Sequence, residues 1–230
     1  MGIGHVALAL GASKAEPRLN VGWLVFAALL SDFLLGVFAA FGVEHATVPA
    51  DFTNRHYLLF TFPYSHGLLA LIVWSTIFGF LVSRVLGFRG QRVWLLVGLV
   101  ALSHFLLDGL VHVAGLPLVG ENSPKLGLGL WNHMPLELSI ETLMAVMGLV
   151  IYWKITGAAG SGLSRYGIAI FVIVMTALTW TQLLPNPAPT ARELTITWIV
   201  APIVLSAIAY ALDRRRVVQA FSSDVEVSNP

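Results

Sequence analysis

The sequence predicts an all-α fold: a polytopic transmembrane helical bundle of about six spans, preceded by a short N-terminal half-helix. Three observations carry that prediction. Asp, Glu, Lys and Arg make up only 11% of the 230 residues while 57% are hydrophobic, where a soluble domain carries roughly 25% charged residues. Apolar runs of about 18 to 23 residues, enough to cross about 30 Å of hydrocarbon, recur along the chain. Basic residues also collect on alternate connections between those runs, as the positive-inside rule requires.

The elements follow in order. Residues 3–10 are apolar but too short to span, and no Lys or Arg precedes them as a signal peptide would need. They read either as a half-helix that dips into the membrane or as a helix lying flat on its inner surface. In the first case Lys14 sits at the interface and His5 lies about 13 Å deeper, at roughly 1.5 Å per residue. Spans are then expected at 19–41, 64–82, 93–114, 131–153, 167–184 and 194–212, separated by connections rich in Gly, Pro, Ser and charge. Residues 213–230 read as a cytoplasmic tail, disordered after Arg216. If the first span runs outward, Lys14, Arg18, Arg84, Arg89, Arg92, Lys154, Arg165, Arg214, Arg215 and Arg216 face the cytoplasm, whereas Arg55, Lys125 and Arg192 lie outside. Both termini are therefore expected in the cytoplasm. The whole chain reads as one membrane domain.

A formal net charge of +1 leaves no electrostatic footprint for nucleic acid, and the absence of Cys removes disulfides, thiolate metal sites and Cys nucleophiles. Chemistry must come from His, Asp, Glu or Ser. All Lys and Arg residues fall outside the expected spans, yet Asp32, Asp108, Glu137, Glu141, His66, His104, His112 and His133 fall inside. A charge at the bilayer centre costs at least about 2.5 to 3.5 kcal/mol, so these carboxylates need compensation.

Their spacing suggests how. "SHFLLDGLVH" in the third span puts His104, Asp108 and His112 at i, i+4 and i+8 on one helix face, and "HMPLELSIE" in the fourth does the same for His133, Glu137 and Glu141. Pro135 stands near the start of that helix, where its missing N–H costs little. With the two helices antiparallel, the ladders are expected to pair by depth: His112 with His133, Asp108 with Glu137, His104 with Glu141. Asp32 joins them from the first span and His66, in "PYSHGLL", from the start of the second. The last two spans bring no acid or imidazole group and read as lipid-facing support, the sixth kinked at Pro202. Glu44, His45, Asp51 and His56 read as solvated loop residues.

Imidazole and carboxylate donors on neighbouring helices suit a divalent metal, zinc first, with manganese or iron as alternatives. Three other readings stay open: hydrogen-bonded staples with no metal, a haem or pigment on two histidines, and a proton or ion path.

The same residues resemble a known family. The N-terminal "GH" with His5, Asp32 in "LLSD", His66 in "SHGLLAL", and His104 with Asp108 in "LSHFLLDGL" are similar to the ordered elements GH, PDxDH, HRGxTHS and SHxxxD. Those elements mark the YdjM-like family of membrane-bound, metal-dependent hydrolases of the bacterial inner membrane. The likeness covers about the first 120 residues. It departs where Leu34 and Leu35 replace an Asp and a His, and where Thr61 and Phe62 replace His-Arg. The resemblance implies an inner-membrane metal site in the outer half of the bundle, with His5, Asp32, His66, His104 and Asp108 as metal ligands. Glu137 is then expected as general base and His133 as donor to the leaving group, acting on a lipid or lipid-linked ester or phosphoester. The competing expectation is a non-catalytic membrane subunit or transporter-like protein. Membrane lipids are the expected partners, and an oligomer or a larger membrane complex stays open.

Overall fold

The computed structural model describes residues 2–156, 163–185 and 187–227, and nearly all of its regular structure is helical. In chain order the elements are α1 (Ile3–Ala12), α2 (Val21–Ala28), α3 (Leu30–Ala40), the strand β1 (His45–Thr47), the single turn α4 (Phe52–Arg55), β2 (Leu59–Thr61), α5 (Leu68–Val85), α6 (Gln91–Val111), β3 (Leu116–Pro117), β4 (Lys125–Leu126), α7 (Met134–Thr156), α8 (Leu163–Trp180) and α9 (Ala191–Val227). Among the described residues, five helical stretches are long and apolar enough to cross a membrane, and the pair α2 and α3 makes a sixth that is bent by 53° at Leu29. This is a multi-pass membrane bundle. Ile72, Val73 and Ile77 on α5, Ile170, Ile173 and Val174 on α8, and Val200, Ile203 and Val204 on α9 are exposed, as helices facing hydrocarbon should be.

The N-terminal segment is inserted, which decides between its two readings. Ile3, Gly4, His5, Val6, Ala7, Ala9 and Leu10 are all buried, and α1 packs on α7, α2 and α6. Contact with α7 is backbone-close, because a Cβ at Gly148 would lie 2.3 Å from the Ala7 carbonyl oxygen. A helix start carries N–H groups without intrahelical partners, a severe liability away from water. Glu141 removes it: its carboxylate accepts from the N–H of Gly2 at 2.8 Å, of Ile3 at 2.9 Å and of Gly4 at 3.3 Å. The depth-paired ladders expected between the third and fourth spans therefore do not form. Leu8 of α1, like Ile140 and Met144 of α7, packs against Leu107 and Val111 of α6, while Glu141 meets the start of α1 and Asp108 meets His5.

Three further differences have physical causes. The expected first span breaks at Leu29 (φ −103°, ψ 10°) instead of running straight. The last two spans are more than lipid-facing support, since α9 packs along α2 and α3. The final helix also runs on to Val227, where a disordered tail was expected, because residues 213–227 hold neither Pro nor Gly to stop it; residues 228–230 lie outside the described ones. Asp213, expected at the head of that tail, is buried. It accepts from the Val21 N–H at 2.8 Å and from the Tyr152 hydroxyl at 2.6 Å, which ties α9 to the start of α2.

Replacing Glu141 with Ala leaves up to three buried N–H groups unpaired and should lower the unfolding free energy by about 1–3 kcal/mol. His133→Ala, at an exposed position, should stay within about 0.5 kcal/mol of the parent. Denaturant unfolding in detergent micelles measures both.

Candidate metal centre

The site is built around α6. His104 and Asp108, four residues apart on one helix face, are both buried, with His104 Nε2 3.2 Å from Asp108 Oδ2. The helix ends at Val111, so His112 is extended (φ −60°, ψ 141°) rather than helical. Its Nε2 still reaches Asp108 Oδ2 at 3.2 Å, and its ring lies 4.0 Å from that of Trp131.

The break in the first span explains the orientation of His104. In an unbroken helix the Ala28 carbonyl would accept the N–H of Asp32. Here it accepts from His104 Nδ1 at 2.7 Å. That bond leaves Nε2 as the atom that faces the other donors, the outer partner a metal-ligating His ordinarily has. The same break starts α3 afresh, with Asp32 in its first turn, where a carboxylate is favoured by the helix dipole.

His66 enters at the turn before α5. Its Nδ1 is 2.8 Å from Ser65 Oγ and its N–H bonds the Phe62 carbonyl. Glu44 secures that turn by accepting from the N–H of Tyr64 at 2.7 Å and of Ser65 at 2.9 Å. Expected in solvent, Glu44 is instead buried, and burial pushes its carboxyl above the usual value despite those hydrogen bonds. Pairing of β1 with β2, His45 opposite Thr61, brings it back over the turn.

Four donor atoms converge. His66 Nε2 and His104 Nε2 are 3.2 Å apart. Asp108 Oδ2 is 3.2 Å from His104 and 3.7 Å from His66. Asp32 Oδ1 is 3.8 Å from His66 and 4.0 Å from His104. A tetrahedral metal ion with bonds of about 2.0–2.1 Å holds its ligands about 3.3 Å apart, so these separations suit one ion. Two overlapping groups have ligand atoms within 4.8 Å of one another: Asp32, His66 and His104, and His5, His104 and Asp108. With Nδ1 committed to Ala28, His104 has one nitrogen to offer, and that nitrogen is common to the two groups. His5 stands beside them. Its Nε2 is 3.1 Å from Asp108 Oδ1, its ring stacks on His104 at 3.9 Å, and its buried Nδ1 has no hydrogen-bond partner among the described residues.

A cavity of about 420 Å³ opens against the cluster, reached by Asp32, His66, Asp108 and His112. Its far walls include Phe60, Trp131, Met175, Trp198 and Leu205, and none of its lining residues is Lys or Arg. The last two spans therefore supply a wall of the cavity, which their lack of charge had hidden.

Of the residues singled out in the sequence, the fold gathers His5, Asp32, His66, His104 and Asp108. His133 is exposed, because it precedes α7 in a 3-10 turn and leaves the ladder's face. Glu137 is buried on α7 beside Glu141 and does not line the cavity. Glu44 and Asp213 carried no sequence signal, since a loop or tail carboxylate is ordinarily solvated.

Fold and site together define a multi-pass helical membrane bundle with a buried His/Asp cluster spaced to hold a metal ion. Among known proteins, no family model, curated protein or solved structure matches the chain.

Glu44→Ala frees the Tyr64–Ser65 turn without touching a donor atom. Loss of such outer support typically costs about 10–100-fold in metal affinity. Competition with a chromophoric chelator should show a drop of that size at unchanged helical circular dichroism.

Proposed function

We propose that this is a divalent-metal-dependent hydrolase of the bacterial inner membrane, with zinc the first candidate and manganese or iron the alternatives, acting on a lipid or lipid-linked ester or phosphoester. The observation that carries the reading is the convergence of Asp32, His66, His104 and Asp108 to separations of 3.2 to 4.0 Å at the wall of a largely apolar cavity. The likeness of "GH", "LLSD", "SHGLLAL" and "LSHFLLDGL" to the YdjM-like elements supports it. The count of basic residues on alternate connections favours cytoplasmic termini and a site in the outer half of the bundle.

In this reading Asp32, His66, His104 and Asp108 hold the ion, and His5 steadies Asp108 from its other oxygen. A divalent ion there would supply Lewis acidity and lower the pKa of a bound water toward about 7. The chain's own residues do the rest. His112, bonded to Asp108 and lining the cavity, is placed to move a proton at its Nε2, the role first given to Glu137 and His133. Phe60, Trp131 and Trp198 offer apolar surface to an acyl or prenyl chain and keep water away from the carboxylates.

One observation favours a second reading. The contacts of Asp108 with His5, His104 and His112, at 3.1 to 3.2 Å, are already of hydrogen-bonding length. The histidines could then neutralise the carboxylates as an ion-free staple or proton path.

Elemental analysis of the purified protein separates the two. The hydrolase reading expects about one divalent ion per chain, lost in Asp108→Asn, and metal-dependent breakdown of one lipid class in vesicles. A folded protein that stays metal-free after incubation with zinc, manganese and iron supports the staple instead.

A further inference from the structure

The opposite end of the bundle carries a second concentration of chemistry that the metal centre does not use. His66 lies just before the first residue of α5, and Arg84 lies near its end, so about 27 Å of helix separates them. Beyond Arg84 the chain turns through Leu86, Gly87, Phe88, Arg89 and Gly90 into α6. The turn is closed by the Phe88 N–H on the Ser83 carbonyl at 3.0 Å and by the Ser83 hydroxyl on the Phe88 carbonyl at 3.2 Å. Gly87 and Gly90 have φ of 71° and 101°, values that other residues rarely adopt. Arg89 is thereby held at a fixed place between two grooves.

One groove, of about 500 Å³, lies between the turn, the start of α2 and the middle of α9, with Arg18, Arg89, Asn20, Trp23 and Tyr210 in its walls. The other, of about 520 Å³, lies between α5 and α6, with Arg84, Arg89, Gln91 and Trp94. Phe88 and Arg89 belong to both. Arg84 stacks over the Phe80 ring at 4.9 Å and Arg18 over the Phe88 ring at 5.9 Å. Arg18 bonds Glu16 at 2.9 Å, and Arg92 approaches the same carboxylate at 4.0 Å. Among the described residues, Arg84 and Arg89 have no acidic partner. Glu16 is thus approached by Arg18 and Arg92, which leaves the charge of Arg84 and Arg89 uncompensated at this end of the bundle among the described residues.

From these features we infer that the grooves flanking Arg89 bind the headgroup of an acidic phospholipid. A guanidinium presents a planar fork that matches phosphate oxygens in pairs, and basic pockets between membrane helices are suited to anionic headgroups. Trp23 and Trp94 lie in the first turns of α2 and α6, and aromatic rings near the ends of spanning helices favour the membrane interface. Exposed Phe80, Leu81 and Val85 on α5 and Leu95 and Leu99 on α6 continue the α5–α6 groove along the bundle as a track for acyl chains. A zwitterionic lipid brings its own ammonium to the arginines and loses the net attraction. Inorganic phosphate satisfies the arginines but leaves the track empty. The inference stands apart from the metal reading.

Protein purified in a neutral detergent is titrated with phosphatidylglycerol, with phosphatidylcholine, or with inorganic phosphate, and binding is followed by native mass spectrometry and thermal unfolding. The expected result is retention of phosphatidylglycerol and a rise in Tm, with little effect of the other two. Arg84→Gln with Arg89→Gln should weaken phosphatidylglycerol binding at least ~10-fold, and Arg192→Gln should leave it unchanged. Equal binding of phosphatidylcholine, the same Tm rise with inorganic phosphate alone, or an unaffected double variant would overturn the proposal. Should the double variant fail to fold, the comparison of the three ligands on the parent protein decides alone.

Discussion

Asp108 is a buried anion in an apolar bundle, and much of the surrounding architecture answers to it. An isolated carboxylate in such a place is prohibitively expensive, and the ion pairs of Asp108 among the described residues are all with histidines. Four histidines from three different stretches of chain reach it: His5 from the inserted α1, His66 from the turn before α5, and His104 of α6 with His112 just past its end. Each of these brings its own structural requirement. His5 requires a helix that enters the bundle by its N-terminus, and that entry requires Glu141 to accept the exposed N–H groups. His66 requires a turn clamped by Glu44. An unpaired polar group is costly in a low-dielectric interior, so removing any one support propagates.

The break at Leu29 belongs to the same logic. Interrupted helices inside membranes are tolerated where the freed backbone lines a site or finds a partner. Here the freed Ala28 carbonyl fixes His104, and the restarted helix delivers Asp32. One irregularity sets two donors. It also gives the bent pair room to pack along α9, whose Trp198, Ala201 and Pro202 then wall the cavity.

The spans could be read from the sequence because bilayer thickness and helix rise together impose their length. His104 and Asp108 could be read because two polar groups at i and i+4 in an apolar run have no cheap explanation but each other or a ligand. The bend could not, since "ALLSD" contains neither Pro nor Gly; the demand comes from His104, 76 positions away. Glu44 and Asp213 were invisible for the converse reason, because charge in a loop or a tail needs no explanation until tertiary packing covers it. His133 misled because the periodicity of "HMPLELSIE" is genuine, but the helix begins one residue too late to include it. The insertion of α1 was undecidable locally, as a ten-residue apolar helix suits both a membrane surface and a buried slot.

Chemically, the centre combines imidazole and carboxylate donors with an apolar chamber, and its function turns on whether an ion sits among those donors. The most direct measurement is an anomalous difference map collected at the zinc edge from crystals grown with zinc. The account predicts one strong peak at about 2.0–2.2 Å from His66 Nε2, His104 Nε2, Asp108 Oδ2 and Asp32 Oδ1. A well-ordered bundle with no peak there, and with the histidines bonded directly to Asp108, would contradict it.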